Sequence, residues 1–290
     1  MVWFLFALFG ALFDSLFYML SKRLLRNTDQ YVLAGGVFLS SFVVLLAVSL
    51  YIGIPGIGQG FYASVLVTAV LNVIAAVLYY RALRITDLSL SIPMISFTPV
   101  FLILTSFILL GESPSSLGIA GILLIVAGSY ILNSSGKSTG LIDTFRNITG
   151  NRGILYMLAV AFLFSISANF DKLVVKNSDP YFGHSMVFLV IGASFLVISW
   201  VRKSGSQVSY YRNFPGFFIV GSVLALEAIA INIAYTMQIV PYVISVKRTS
   251  ILFGVLFGGL VFREKNIHIK VLGAVVMLTG AVFIIIFENH

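Results

Sequence analysis

Ten runs of apolar residues, each about 18–24 residues long, divide this chain almost from end to end. They cover residues 2–22, 32–51, 61–83, 88–110, 115–132, 153–173, 182–201, 214–237, 240–262 and 267–287. As an α-helix rising 1.5 Å per residue, a run of this length crosses the ~30 Å hydrocarbon layer of a bilayer. Inside lipid every backbone N–H and C=O has to be bonded within the protein, which leaves helices and closed barrels. Runs near 20 residues, rather than ~10 of alternating polarity, select helices. The expected fold is an all-α integral membrane protein with ten transmembrane helices.

Composition agrees. Charged residues make up only 10% of the 290 and hydrophobic ones 59%, with a mean hydropathy of +1.05, whereas a soluble domain carries about a quarter charged residues. The net charge of +8 does not point to nucleic acid, because the basic residues lie mostly at the ends of apolar runs, where they fix orientation. The absence of cysteine excludes disulfides and thiolate metal sites. The first run lacks a basic leader and a small-residue cleavage site, so it reads as a span. No nucleophile–base arrangement appears and His184, His268 and His290 sit at span ends without ligand spacing, so neither an enzyme nor a cofactor is expected. The glycines of "GIPGIGQG" follow no strand and imply no dinucleotide fold.

The polar stretch "NSSGKSTGLIDTFRNITGNR" (residues 133–152) reads as a linker between a first repeat, residues 1–132, and a second, 153–290. A shift of 150 lays "SKRLLRNTDQY" over "DKLVVKNSDPY"; a shift of 152 aligns Glu112, Gly121 and Gly128 with Glu264, Gly273 and Gly280. Each half holds five spans, an odd number, so the second copy is inserted upside down. Such inverted five-helix repeats are a build of secondary transporters. Of the 18 Lys and Arg, Lys172 and Lys176 fall on one side, Lys247 and Arg248 within a span, and all others on the opposite side. The positive-inside rule then makes the 133–152 loop cytoplasmic, its two sequons unglycosylated, and both termini external.

The stretch "YYRALRITDLSLSIPMISFTPVFLILTSFILLGESPSSLGIAGILLIVAGSYI" closely resembles the repeat of the drug/metabolite transporter superfamily, EamA type. It has Ala-Leu before a short loop, a proline-broken fourth helix, Gly-Glu at that helix's end and a glycine-spaced fifth helix. The second half repeats this with Arg263 before Glu264 and Ile251 opposite Pro99. The resemblance implies a ten-helix carrier of the cell or inner membrane with a central cavity lined by helices 1, 3, 4, 6, 8 and 9. The sequence "SVKRTS" is similar to the ninth-helix "VKR" of the superfamily's sugar-phosphate and nucleotide-sugar branch, where the resemblance implies phosphate binding.

Ionisable residues away from span ends are functional candidates, since each cation costs roughly 2.5–3.5 kcal/mol at a helix centre. Lys247 and Arg248 lie six and seven residues past Pro241. Adjacent helical residues diverge by about 100°, so a cavity accommodates both better than snorkelling to one interface. Their repeat partners, Ile95 and Ser96, are uncharged. Asp14 is either a structural carboxyl, a proton site or a counter-charge, with Gly10, Tyr18 and Ser21 at helical spacing. Glu227 is expected to pair with Lys247 or Arg248, and Asn232 and Tyr235 follow it. Ser165, Asn169 and Lys172 form a polar stripe, and Asn72 shares a face with Tyr79.

The function expected is a secondary carrier moving a small organic, anionic metabolite by alternating access. Alternatives are an exporter of amino acids or neutral metabolites, and a lipid-phosphate flippase. The expected partners are a small-molecule substrate and the lipid bilayer, with proton coupling through Asp14 or Glu227, no nucleic acid, and a monomer or homodimer. Prolines 93 and 99 predict an irregular fourth helix; the ninth, lacking internal prolines, is expected to be straighter.

Overall fold

The computed structural model describes residues 1–85, 92–133, 151–202, 207–254 and 267–287. Among them the secondary structure is helical: α1 (Val2–Leu24), α2 (Gln30–Ile52), α3 (Phe61–Ile85), a 3₁₀ stretch (Ile92–Phe97), α4 (Thr98–Leu110), α5 (Ser116–Asn133), α6 (Arg152–Lys176), α7 (Phe182–Val201), α8 (Gln207–Met237), α9 (Val240–Lys247) and α10 (Ile267–Phe287). Among the described residues, six helices are long and apolar enough to cross a bilayer, and residues 94–110, 116–132 and 271–287 form shorter apolar helices. The described parts of the expected spans thus coincide with helices; residues 88–91 of the fourth run and 255–262 of the ninth lie outside the described residues.

The chain forms two compact units. The first comprises Val2–Val73 and Phe170–Met237, hence α1, α2, the start of α3, the end of α6, α7 and α8. Here α2 packs on α7, and α8 packs on both α1 and α2. Glycines let these backbones approach: a side chain at Gly36 would strike the Phe217 ring, and one at Gly221 would strike Ser40 and the Val37 carbonyl. At that contact the Ser41 hydroxyl donates to the Gly221 carbonyl at 2.9 Å. Phe38 stacks on Phe195 and meets the edge of Phe188.

The α2 and α7 entries repeat one device. The Asp29 carboxylate accepts from the Tyr31 and Val32 amides, and Asp179, 150 residues on, accepts from those of Tyr181 and Phe182. Each satisfies amides that a helix start leaves without intrahelical partners. Span ends also meet in pairs: the Gly58 amide donates to the Asn177 carbonyl at 2.8 Å, and Asn213, in the first part of α8, donates to the Thr28 hydroxyl at 3.0 Å. Each pair joins segments that an alternately crossing chain puts on the same side.

The second unit comprises Met1, Ile74–Asn169 and Gln238–His290. Its core gathers Ala75, Ala82, Met94, Tyr130, Ile154, Met157 and Val160. Its most extensive seam is α5 against α10, and the glycines there pair reciprocally. A side chain at Gly121 would reach the Gly280 carbonyl and one at Gly280 the Gly121 carbonyl; Gly128 and Gly273 stand in the same relation. Since Gly121 aligns with Gly273 and Gly128 with Gly280, the two contacts exchange under a two-fold operation. Such self-complementary contact is what an inverted repeat produces. At one end of this unit the Glu112 carboxylate accepts from the Val240 amide at 2.8 Å, covering the start of α9. The Tyr242 hydroxyl accepts from the Ser115 amide at 3.0 Å, and the Ser115 hydroxyl donates to the Phe287 carbonyl.

Candidate functional site

In the second unit, a 3₁₀ stretch leads into α4 and a turn follows α9. Residues 92–97 are 3₁₀ before α4 begins at Thr98, with Pro99 in its first turn. The α9 helix ends at Lys247; Arg248 and Thr249 form a turn and residues 250–254 are helical again. The expectation of a straighter ninth helix is therefore corrected. Here the Thr249 amide bonds the Val246 carbonyl and the Leu252 amide bonds the Thr249 carbonyl, three-residue spacings of a tightened helix. Side-chain hydroxyls compete for the carbonyls: Ser245 donates to Pro241 and Thr249 to Val246. A shift of 152 carries 92–97 onto 244–249, so the 3₁₀ stretch and the α9 break occupy equivalent places in the repeats.

Lys247 and Arg248 sit at the α9 break, partly buried. Arg248 donates from Nη2 to the Thr98 hydroxyl at 2.9 Å. Ser96, the repeat partner of Arg248, is buried and hydrogen-bonded to Ser129. Asn169 is fully buried: its amide nitrogen donates to Thr105 at 3.1 Å and to the Ser165 carbonyl at 2.8 Å, and its oxygen accepts from Ser106 at 2.7 Å. One amide hydrogen and the side-chain oxygen thus tie α6 to α4, while the other hydrogen is bonded within α6. The Ser165 hydroxyl turns back to its own helix, donating to Phe162. Tyr79 packs against the apolar core of this unit.

The acidic candidates lie in the first unit. Asp14 on α1 and Glu227 on α8 are both buried, and α1 meets α8 closely at Gly10. A side chain there would strike Ile231 and come 3.8 Å from the Glu227 carbonyl. Tyr18, expected on the Asp14 face, is 56% exposed. Four-residue steps advance about 40° beyond a full helical turn, so Gly10, Asp14 and Tyr18 drift off one face. Asn232 is buried and donates to the Pro180 carbonyl at 2.9 Å, while its side-chain oxygen has no hydrogen-bond partner among the described residues. Tyr235 is buried. Asn72 donates to the Thr68 carbonyl at 2.9 Å and, at 3.3 Å, to the Thr68 hydroxyl, which itself donates to Asp171 at 2.6 Å.

The structure therefore groups Lys247, Arg248, Ser96, Tyr79, Ser165 and Asn169 in one unit, and Asp14, Tyr18, Asn72, Glu227, Asn232 and Tyr235 in the other. Thr98, Thr68 and Asp171 were not singled out in the sequence. Thr98 stands one residue before a flagged proline, and Asp171 beside Lys172 in the polar stripe. Among the described residues no group of three or more His, Asp or Glu could hold a metal ion.

A ten-helix membrane fold with inverted five-helix repeats is the architecture of a membrane transporter by class. The sequence profile of the EamA-like transporter family matches residues 1–134 and 151–286. The chain belongs to that family and is a multi-pass integral membrane transporter. It is 27% identical over 234 residues to an uncharacterized transporter of Methanothermobacter thermautotrophicus, a match covering 79% of this chain and 65% of that protein. It is 21% identical over 233 residues to another of Archaeoglobus fulgidus, covering 76% of each. A chain of known crystal structure shares the fold at a TM-score of 0.78 and 14% identity, over 99% of this chain and 97% of the other.

Proposed function

We propose that the chain is a secondary carrier for a small organic anion, working by alternating access, with Lys247 and Arg248 holding the substrate's charged group. The observation that carries this reading is the position of both cations at a break in a membrane helix, with Arg248 bonded to Thr98 where the 3₁₀ stretch passes into α4. Broken helices at membrane depth are where carriers build sites, since irregular backbone is tolerated only where it is buried or lines a cavity. Arg supplies a planar two-pronged donor for phosphate or carboxylate and Lys a compact charge beside it. The substrate's charge offsets the cost of both. Within the same unit Ser96, Ser165 and Asn169 set the helix positions, and Tyr79 supplies a polar edge.

Purified protein screened by thermal shift against phosphate esters, carboxylates, neutral amino acids and lipid phosphates tests this directly. Stabilisation by soluble anions, followed by their exchange across liposomes, is the expected result. Stabilisation by neutral amino acids alone would replace the reading with a neutral-metabolite exporter, and by lipid phosphates alone with a flippase.

Asp14 and Glu227 are the proposed proton-coupling groups. Asp14→Asn and Glu227→Gln should each abolish uptake driven by a pH gradient while sparing anion exchange at fixed pH. Full pH-driven uptake by both variants would remove them from coupling.

The cytoplasmic placement of residues 133–152 with both termini outside is likewise proposed, on the Lys and Arg distribution. Cysteines introduced at Ser135, outside the described residues, and at Gly56, where a side chain meets nothing within 4 Å, should label from opposite sides in intact cells. Labelling of Gly56→Cys only after permeabilisation would invert the orientation.

A further inference from the structure

We propose that Thr98 is the positioning residue for Arg248, holding its guanidinium in the orientation that receives an anion; this rests on the anion-carrier reading above. Thr98 is 1% exposed. Its hydroxyl has one hydrogen, which is donated to the Ile95 carbonyl at 2.7 Å. Toward Arg248 it can therefore only accept, and it accepts from Nη2 at 2.9 Å. The two bonds form a directed chain from guanidinium to hydroxyl to backbone. A hydroxyl that is already donating is a better acceptor, and burial protects the bond from competition by water.

The anchoring end of this chain is rigid. Ile95 lies in the 3₁₀ stretch and Thr98 opens α4, followed at once by Pro99, whose ring fixes its own φ and restricts the backbone of Thr98 before it. Thr98 is β-branched, with few side-chain rotamers available. On the other side Arg248 sits in a two-residue turn between helical segments, where its backbone alone does not fix where a long side chain ends. Holding one Nη2 hydrogen leaves the planar fork pre-aimed, so less rotational freedom is lost when an anion is bound. The arrangement is asymmetric across the repeats: Thr98 comes from the first, Arg248 from the second, and a shift of 152 replaces them by Ser250 and Ser96.

The test uses the full-length purified chain and titrates inorganic phosphate, sulfate and malonate by calorimetry, with size-exclusion profiles to confirm folding. Thr98→Val removes the acceptor while keeping the shape; Thr98→Ser keeps the hydroxyl. We expect Thr98→Val to weaken anion binding about tenfold or more, the scale of one hydrogen bond to a charged group, and Thr98→Ser to restore most of it. In an Arg248→Lys background, Thr98→Val should add little, because the held fork is already gone. A merely structural threonine would weaken both backgrounds alike, which would overturn the proposal. If Thr98→Val does not fold, the comparison of Thr98→Ala with Thr98→Ser takes its place. Wild-type affinity in Thr98→Val with binding lost in Arg248→Gln would overturn the positioning role and leave the carrier reading intact. Undiminished binding in Arg248→Gln, or no binding of any of the three anions by the wild type, would overturn both.

Discussion

Replacing both cations, Lys247→Gln with Arg248→Gln, is expected to eliminate measurable anion binding while the protein still folds. Truncating one partner of a buried, hydrogen-bonded charge pair costs on the order of 2–5 kcal/mol, or roughly 30-fold to several thousandfold for each residue. Two such losses take a micromolar affinity beyond the millimolar range. Folding should survive because both side chains are only partly buried, and each glutamine keeps a donor and an acceptor where the cation stood. Arg248→Lys should lose activity as well, since a point charge cannot reproduce the bond to Thr98 and a two-pronged contact to the anion together. The assay is calorimetric titration with the best-binding anion of the screen, followed by exchange in liposomes. A folded double variant that binds and exchanges the anion with unchanged affinity would make the pair structural.

The bilayer made much of the fold legible in the sequence. A span must be both long and apolar, so the helix positions follow from run length alone. The repeat was visible because some of the matched residues have jobs tied to geometry: Asp29 and Asp179 start helices, and the α5 and α10 glycines allow backbone contact. The 3₁₀ stretch before α4 was signalled by prolines, whose effect on the backbone is local. The break in α9 was not, because it arises where β-branched residues and two hydroxyls bond nearby carbonyls, and no single residue there forbids a helix.

The site was legible only as a set of unusual residues. Finding Asn169 polar and mid-helix said nothing of Ser106 and Thr105, which lie over 60 positions away and bond its side-chain oxygen and one of its amide hydrogens. Thr98 was hidden for the same reason, since its importance comes from Arg248, 150 residues on. Spacing along one helix shows which residues share a face; it does not show what the neighbouring helix brings to that face.

The second large effect concerns stability: Gly128→Ala and Gly280→Ala should each destabilise the fold markedly, although alanine is the smallest possible addition. At Gly128 a Cβ would sit 2.6 Å from the Gly273 carbonyl oxygen and 2.7 Å from the Met277 amide nitrogen. At Gly280 it would sit 2.6 Å from the Gly121 oxygen and 2.8 Å from the Ile125 nitrogen. These are backbone atoms inside regular helices, so no rotamer change relieves the clash and α5 and α10 must separate. In lipid no hydrophobic force draws the helices back together; the seam depends on close packing, which falls away steeply with distance. Overpacking of this kind costs roughly 1–3 kcal/mol, which at about 2–4 °C per kcal/mol for a chain of this size is several degrees of melting temperature. Gly56→Ala, with nothing within 4 Å of the added carbon, is the control and should melt like the wild type. Neither helix carries Lys247 or Arg248, so the folded fraction of Gly128→Ala should bind the anion normally. Wild-type melting in both seam variants would show that α5 and α10 do not pack through these glycines.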